Sequence, residues 1–244
     1  MAAIALFMMT SCSDDDSNST NGNTEDTVLL KKTIEQSSEG TITSIYTYNG
    51  TKLTRITSSD GSTSEFVYTN DLLTKAIYLG EDIDQEDNYT YDSQGRLSTY
   101  VSLDKDLSWG NKNEYTYNQN GIITVKEYRG DLESQTELDQ TSTITFENGN
   151  ITKYERGNQK FVYAFDTKNA PTKNITGNNA MALSFADGGV NNQLSYTQTY
   201  DISTVAESSV FTYVYNANNY PTKSTEVLSY SDEEETITTQ YFYE

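Results

Sequence analysis

One pattern recurs along most of this chain: two aromatic residues separated by one position, a tight turn, and a second alternating segment. The fullest copy spans residues 89–97, with the sequence YTYDSQGRL. In an extended chain Tyr89 and Tyr91 lie on the same face. Asp92 can bond its own backbone, and Gly95 accepts the positive φ that closes such a turn. The pattern therefore predicts a β-hairpin with a row of rings on one face.

Degraded copies of this hairpin fill most of the remaining sequence. Their first segments contain the pairs Tyr46/Tyr48, Phe66/Tyr68, Tyr115/Tyr117, Ile144/Phe146, Tyr163/Phe165 and Tyr213/Tyr215. In the last two copies the second segment begins at Pro171 and Pro221, where a strand tolerates proline. A further degraded hairpin is predicted between residues 180 and 200. Segments 28–36 and 236–243 are predicted to be closing strands.

Consecutive hairpins with short links predict an antiparallel meander. No window shows sustained 3.6-residue periodicity, so we expect little or no helix after the N-terminal segment. One long sheet with a single apolar face must curl to cover that face. The expected fold is all-β: a meander curled into a flattened barrel, a half-barrel or a β-spiral of roughly 14 to 18 strands.

Composition explains why such a sheet would be lined with tyrosine. Leu, Ile, Val and Phe make up only about 19% of the chain, and the formal net charge is -20, a combination typical of disorder. The chain also contains 20 Tyr residues. Each tyrosine ring can be buried while its hydroxyl reaches a polar partner. Tyr rows can therefore bury enough area to fold the chain around a narrow interior.

The same composition excludes several classes of function. A net charge of -20 argues against nucleic acid and anionic membrane surfaces as partners. The chain has no His, which removes His-based triads and His metal ligands. A single Cys excludes intramolecular disulfides and thiolate zinc clusters. No cofactor and no metal site are predicted.

The N-terminal sequence predicts where the protein is located in the cell. Residues 2–9 are apolar but too short to span a bilayer, and Met9-Thr10-Ser11 precedes Cys12, although no Lys or Arg comes before the apolar run. This arrangement resembles a bacterial lipoprotein signal peptide, which would leave Cys12 as the lipidated N-terminus. An incidental or buried Cys12 is the alternative. We expect a signal peptide at 1–11, a polar and acidic tether at 12–27 and one repeat-built β-domain at 28–244.

The acidic residues directly after Cys12 resemble a signal that sends lipoproteins to the outer face of the outer membrane. The predicted location is therefore the outer membrane, with a lipid anchor and the domain facing outside. A solvated linker facing the periplasm is the alternative.

The hairpin copies themselves resemble the tyrosine–aspartate (YD) repeats of bacterial surface and toxin-shell proteins. Together with the Cys12 signal, the chain is more similar to a group of surface lipoproteins that carry a domain of unknown function with a porin-like fold. The resemblance covers about residues 40 to 244. Only the copy at 89–97 approaches the full repeat, which favours a small curled sheet over a large spiral shell. The group implies no activity.

Candidate ligand-binding residues lie in the connections between the hairpins, which are variable and acidic. The acid-rich connections are 80–88, 128–140 and 230–235, and the first contains Asp82, Asp84, Glu86 and Asp87. Such clusters can bind divalent cations or polycations, or they can serve solubility and prevent edge pairing between sheets. Trp109 lies in another variable connection, where it could stack on a sugar or cap the Tyr-lined interior.

The expected function is a non-catalytic binding or envelope-structural module, with a glycan or a protein as ligand. No carboxylate pair stands out by apolar surroundings that would raise one pKa, and no nucleophile or phosphate-binding motif occurs. A carboxylate-dependent glycoside hydrolase and a transmembrane β-barrel remain as alternatives. The second conflicts with the Thr, Ser, Lys and Glu residues on the face opposite the rings.

Overall fold

The structure is a computed structural model that describes residues 27–200, 204–230 and 233–244. These residues form sixteen β-strands and one α-helix. The elements are β1 (Leu30–Ser37), β2 (Gly40–Asn49), β3 (Lys52–Ser58), β4 (Thr63–Thr69), β5 (Leu72–Gly80), β6 (Ile83–Tyr91), β7 (Leu97–Asp104), β8 (Trp109–Tyr117), β9 (Ile122–Gly130), β10 (Gln135–Glu147), β11 (Asn150–Arg156), β12 (Gln159–Phe165), α1 (Asn178–Phe185), β13 (Gln193–Tyr200), β14 (Thr204–Tyr215), β15 (Pro221–Tyr230) and β16 (Glu233–Tyr243). The predicted all-β class is confirmed.

The sheet is a closed barrel. Each strand pairs antiparallel with its neighbours along the chain, and β1 also pairs with β16, with Ile34 opposite Gln240. The two closing strands predicted from the terminal segments are therefore confirmed. Of the three curled forms that the sequence allows, the chain adopts the barrel. Closure leaves no unpaired edge among the sixteen described strands.

The connections of a strictly antiparallel meander alternate between two ends of the barrel. We call the end that holds the repeat turns, such as residues 50–51 and 92–96, the turn end. The opposite end, which holds connections such as 38–39 and 81–82, is the rim. Both termini of the barrel lie at the turn end, because the backbone amides of Leu29 and Glu244 each donate to the other residue's carbonyl, at 3.0 and 3.1 Å.

The aromatic rows face the interior, as predicted. Tyr89, Tyr100, Tyr115 and Tyr163 are all buried in one core cluster, and the ring centroids of Tyr89 and Tyr100 lie 5.4 Å apart. The buried members of this cluster are mostly aliphatic, whereas rings make up most of the partly buried residues that pack against it, so aliphatic side chains and rings share the interior. Ring pairs at this distance add stabilisation beyond that of area burial.

Six of the seven hairpin copies share a local distortion. A β-bulge or register irregularity separates the middle residue from the second ring, at Thr47/Tyr48, Val67/Tyr68, Thr90/Tyr91, Thr145/Phe146, Ala164/Phe165 and Val214/Tyr215. A bulge changes the direction of a side chain. The Tyr48 and Tyr91 hydroxyls donate to the carbonyls of Leu30 and Leu73, both at 2.7 Å, and these carbonyls lie at or near the start of the preceding strand.

A hydroxyl residue of the returning strand completes this unit. Thr54 donates to the carbonyl of Thr47 at 3.0 Å, and Thr74 donates to the carbonyl of Val67 at 3.2 Å. The equivalent bonds elsewhere join Ser98 to Thr90, Thr152 to Thr145 and Thr222 to Val214. Each acceptor is the middle residue of a bulged pair. The Leu-Thr-Lys element of the repeat therefore has a structural cause: its threonine satisfies a carbonyl at the bulge.

The sequence prediction is wrong between residues 166 and 192. The pattern predicts a returning strand at Pro171 and a hairpin beginning near residue 180, but this segment is a loop that contains α1, and only β13 forms. Pro221 does begin β15, as predicted. Residues 180–183 are Ala-Met-Ala-Leu, which are good helix formers, and eight residues are too few to reveal helical periodicity.

This segment closes the turn end of the barrel, and we call residues 166–192 the plug. Its helix contacts both β7 and β11 inside the barrel, and Leu183 accepts a hydrogen bond from the Tyr115 hydroxyl at 3.1 Å. The backbone of Thr176 donates to Thr51 at 2.9 Å. The plug also pairs with Asn150 through Gly189, where a Cβ would lie 2.4 Å from the Asn150 side chain. The plug is thus bonded to separate turns around the wall.

Tyr91→Phe tests the repeated hydroxyl bond. Removing this hydroxyl leaves the carbonyl of Leu73, a fully buried residue, without its partner, so we expect the free energy of unfolding to fall by about 1 kcal/mol. Chemical denaturation measures the change. Tyr230→Phe alters an exposed ring near the rim and is the control, with an expected change below about 0.5 kcal/mol. Equal losses in both variants would contradict the assigned role.

Candidate functional site

The plug fills the turn end of the barrel, so a ligand would reach the interior beyond the plug from the rim. A cavity of about 390 Å³ lies on the rim side of the wall formed by β8 to β12. Asn111, Asn113 and Glu127 line one side of it, and Tyr154, Arg156 and Phe161 line the other. Its size falls within the range of small-ligand sites, roughly 300 to 1,000 Å³. Amides, charges and rings all face this space.

The centre of the lining is an ion pair. Glu127 on β9 is only 8% exposed and accepts hydrogen bonds from Arg156 at 2.7 Å, Tyr154 at 2.8 Å and Gln140 at 3.1 Å. Burial by itself would raise the pKa of the Glu127 carboxyl, but the hydrogen bonds that it receives outweigh burial, and its pKa is lowered. Glu127 is therefore a charged, fully engaged acceptor.

Alternating charges continue from this pair towards the rim. Arg156 also contacts the carboxylate of Asp139 at 3.3 Å, Asp139 lies 3.5 Å from Arg129, and Arg129 pairs with Glu137 at 2.6 Å. These outer side chains are substantially exposed. These ion pairs fix the direction of the Arg156 guanidinium. The side-chain amides of Asn111 and Asn113, which are outside this chain of pairs, are polar groups of the lining that can both donate and accept hydrogen bonds.

A stack of rings forms the adjoining wall. Phe161 stacks between Tyr154 and Tyr196, with centroid distances of 5.4 and 6.2 Å, and Tyr196 stacks on Tyr163 at 5.7 Å. These rings come from the three neighbouring strands β11, β12 and β13. The wall is rigid because each ring is held by its neighbours across the strands.

The structure separates the four predicted acidic residues of the connection at 80–88. Asp82 lies exposed in the turn itself. Asp84 and Glu86 point outwards from β6, where both lie near Lys105, and Glu86 also pairs with Lys75 at 2.7 Å. Asp87 points inwards, because successive side chains of a strand alternate between its faces. These four carboxylates therefore do not face a common space.

Asp87 is fully buried in the interior. It accepts hydrogen bonds from the Tyr100 hydroxyl and the Gln85 amide, both at 2.8 Å. Burial raises the pKa of the Asp87 carboxyl, and these hydrogen bonds offset the effect only in part. Asp87 serves here as an internal partner for Tyr100.

Trp109 begins β8 at the rim, is 41% exposed, and donates its indole N–H to the Asn111 side chain at 3.1 Å. It is not a member of the buried core cluster. The first two acid-rich connections and the described part of the third lie at the rim, as the topology predicts. The first two are four strands apart, about 19 Å along the wall, which keeps them separate. The described residues contain no group of three or more potential metal ligands.

The predicted lipid anchor and part of the predicted acidic rim fall on residues that the structure does not describe. Cys12, the signal peptide and nearly all of the tether lie outside the described residues, as does Asp232. Within the described ranges, the only helix is eight residues long, and no helix there could cross a bilayer.

Sequence reasoning does not identify Glu127 or Arg156. A signal for Glu127 exists, since Ile123, Val125 and Glu127 alternate on one face of β9 and the first two are buried. An acid that continues a buried face predicts an internal partner. Its partner Arg156 is distant in the sequence and on another strand, so only the barrel brings the two together.

Comparison with solved structures identifies a porin-like fold. A crystal structure of a porin-like protein from Bacteroides uniformis superposes with a TM-score of 0.55 at 16% identity, covering 88% of this chain and 96% of that chain. A porin-like protein from Bacteroides vulgatus gives a TM-score of 0.43 at 11% identity, over 89% and 99% of the two chains. No protein-family model and no curated protein matches the sequence. The first comparison confirms the porin-like fold expected from the sequence.

Arg156→Met tests the ion pair of the cavity. It leaves the buried Glu127 carboxylate without its charged partner, so the free energy of unfolding at pH 7 should fall by about 1 to 2 kcal/mol. Arg55→Met, which removes an exposed pair with Glu65, is the matched control and should cost less than about 1 kcal/mol.

The pH dependence of this loss follows from the lowered pKa of Glu127. The stabilisation is complete above the unfolded-state glutamate pKa of about 4.3 and is lost as the pH falls through the lower folded-state value. The difference between wild type and Arg156→Met should therefore shrink below about pH 4. A difference that stays constant from pH 7 to pH 3 would contradict the assignment.

Proposed function

We propose that this protein is a lipid-anchored, non-catalytic binding barrel of the bacterial outer envelope, with Cys12 as the anchor and the rim as the ligand entrance. The observation that carries the proposal is the polar outer wall of a barrel that has a porin-like fold. A barrel whose outer wall carries ion pairs and many threonine and serine side chains is better attached to a membrane by an anchor than by its wall. The sequence around Cys12 supplies one.

The outer wall argues against the alternative of a transmembrane barrel. Ion pairs join Lys75 to Glu86, Lys112 to Glu114 and Lys153 to Glu155 on outward-facing strand positions. Threonine and serine fill many positions between them, as in β13 and β16. A Lys or Arg side chain on the lipid face costs about 2 to 4 kcal/mol near the bilayer midplane. This wall is suited to water.

The position of the termini gives the barrel an orientation. β1 begins at the turn end, so the segment that follows Cys12 reaches the barrel there. A polar tether of this length would span about 20 Å on average. The turn end and the plug would then face the membrane, and the rim would face away from it. This arrangement would present the cavity beside Glu127 and Arg156 to molecules outside the envelope.

The interior supports binding rather than hydrolysis. Glycoside hydrolysis needs a protonated acid and a second carboxylate on opposite sides of the scissile bond. Glu127 is held by three donors and has a lowered pKa, while Asp87 is fully buried against Tyr100. Neither carboxylate is free to serve as the acid at an open cleft. The polar cavity and Trp109 instead suit a glycan or a peptide ligand.

Cys12→Ser tests the anchor. The wild-type protein should partition with outer membranes and incorporate a radiolabelled fatty acid, whereas Cys12→Ser should be recovered in the soluble fraction without label. Ser19→Ala, a change in the same segment, should behave as wild type. Cys12→Ser protein that remains integral to the membrane would overturn the proposal in favour of a transmembrane barrel.

Trp109→Ala tests the entrance. Glycan-array binding or pull-down of an envelope peptide should weaken at least about tenfold, since stacked aromatic contacts dominate such surfaces. Leu107→Ala changes a more exposed side chain of the same connection and is the control. If both variants bind as wild type does, the ligand does not use the Trp109 region. If no ligand binds wild type, the barrel is a passive envelope component.

A further inference from the structure

A second cavity, of about 600 Å³, lies at the turn end between the plug and the barrel wall. It is separate from the cavity beside Glu127, which lies towards the rim. Leu73, Leu97 and Phe146 contribute to the wall side, and Ile175, Ala180 and Leu183 contribute to the plug side. Five of these six residues are buried, so the deep part of the cavity is strongly apolar.

The tyrosines of this cavity also present apolar surface. Tyr91 and Tyr117 line it, but their hydroxyls donate to the carbonyls of Leu73 and Leu97, at 2.7 and 2.9 Å. Each of these hydroxyls therefore already donates its one proton to an acceptor in the wall. A ligand at this depth would meet rings and methyl groups. An apolar cavity with a few polar groups at one side is the usual form of a small-molecule site.

The polar groups of the cavity are at its exposed mouth. The Arg96 guanidinium lies 4.2 Å from the Tyr117 ring centroid and is paired with Asp92 at 2.7 Å. Asp71 is paired with Lys52 at 2.6 Å. Lys173 donates to the Asn169 side chain at 2.7 Å, and no carboxylate of the described residues pairs with it.

These charges leave the mouth with one excess cation. The two acids are each compensated by a neighbouring cation, and Lys173 adds a further positive charge. This arrangement is unusual in a chain whose net charge is -20. A cation beside an apolar cavity complements a ligand that has an anionic head and an apolar tail.

We propose that this cavity binds a medium-chain fatty acid, with the alkyl chain against Leu73, Leu97 and Leu183 and the carboxylate at Lys173 and Arg96. The site is at the opposite end of the barrel from the rim entrance and uses none of its residues. Its existence is therefore independent of the function proposed above.

Isothermal titration of the purified protein with sodium octanoate, decanoate and dodecanoate, each below its micelle concentration, tests the proposal. We expect one site per chain and an affinity that rises about fourfold for each added methylene until the cavity is filled. Dodecyltrimethylammonium has the same tail with a cationic head and should bind at least about tenfold more weakly than dodecanoate.

Two substitutions locate the site. Ala180→Leu adds volume inside the cavity and should abolish dodecanoate binding, with circular dichroism as the check on folding. Lys173→Glu changes an exposed side chain and should weaken dodecanoate about fivefold or more by reversing the charge at the mouth. Lys126→Glu reverses an exposed charge on the outer face of β9 and should have no effect.

Three results would overturn the proposal. These are absence of saturable dodecanoate binding to wild type, equal affinity for the anionic and cationic amphiphiles, or unchanged binding in folded Ala180→Leu. If Ala180→Leu fails to fold, Lys173→Glu decides, and binding equal to that of Lys126→Glu would overturn the proposal. A change in Trp109 has no effect on this site, so failure here leaves the rim proposal standing.

Discussion

The structure depends on an interaction that recurs at the turn end of several hairpins. A β-bulge turns the second ring of the aromatic pair, and the hydroxyls of Tyr48 and Tyr91 then reach carbonyls at the start of the preceding strand. A threonine of the returning strand satisfies the carbonyl at the bulge, as Thr74 does for Val67. These hydroxyl bonds link a hairpin to the strand before it where the second ring is Tyr48, Tyr91 or Tyr117. In other copies the ring is a phenylalanine, or its hydroxyl bonds to the plug as that of Tyr68 does.

The two ends of the barrel differ in their chemistry. At the turn end the chain inserts the plug, which covers rings that would otherwise face water and leaves an apolar cavity beside α1. At the rim the connections carry most of the exposed acidic residues, and the interior contains the Glu127–Arg156 pair. One end therefore offers apolar surface with cations at its mouth, and the other offers polar groups in an acidic setting. The same barrel can present two unlike surfaces because its strands separate them.

The hairpins were predictable because alternation and turn chemistry are local properties. Residues 89–97 specify a face and a turn without reference to the rest of the chain. The plug was not predictable, because Tyr163 and Phe165 begin a normal copy of the repeat. This copy differs from the others only in that no returning strand forms after it, which the structure shows and the sequence does not. The acidic residues at 82–87 look like one cluster in the sequence, but strand alternation sends Asp87 inwards and Glu86 outwards. The side chains of Glu127 on β9 and Arg156 on β11 are brought together by the register of β9, β10 and β11.

The amino-acid sequence alone determined the period of the repeat, the all-β class, the presence of tyrosine rows on the inner face and the exclusion of histidine and disulfide chemistry. These are properties of composition and of neighbours in the chain. Only the tertiary structure decided that the sheet closes, that β1 meets β16, and that segment 166–192 enters the barrel. Closure and plugging depend on the summed twist of sixteen strands and on contacts between distant residues, and no single segment contains that information.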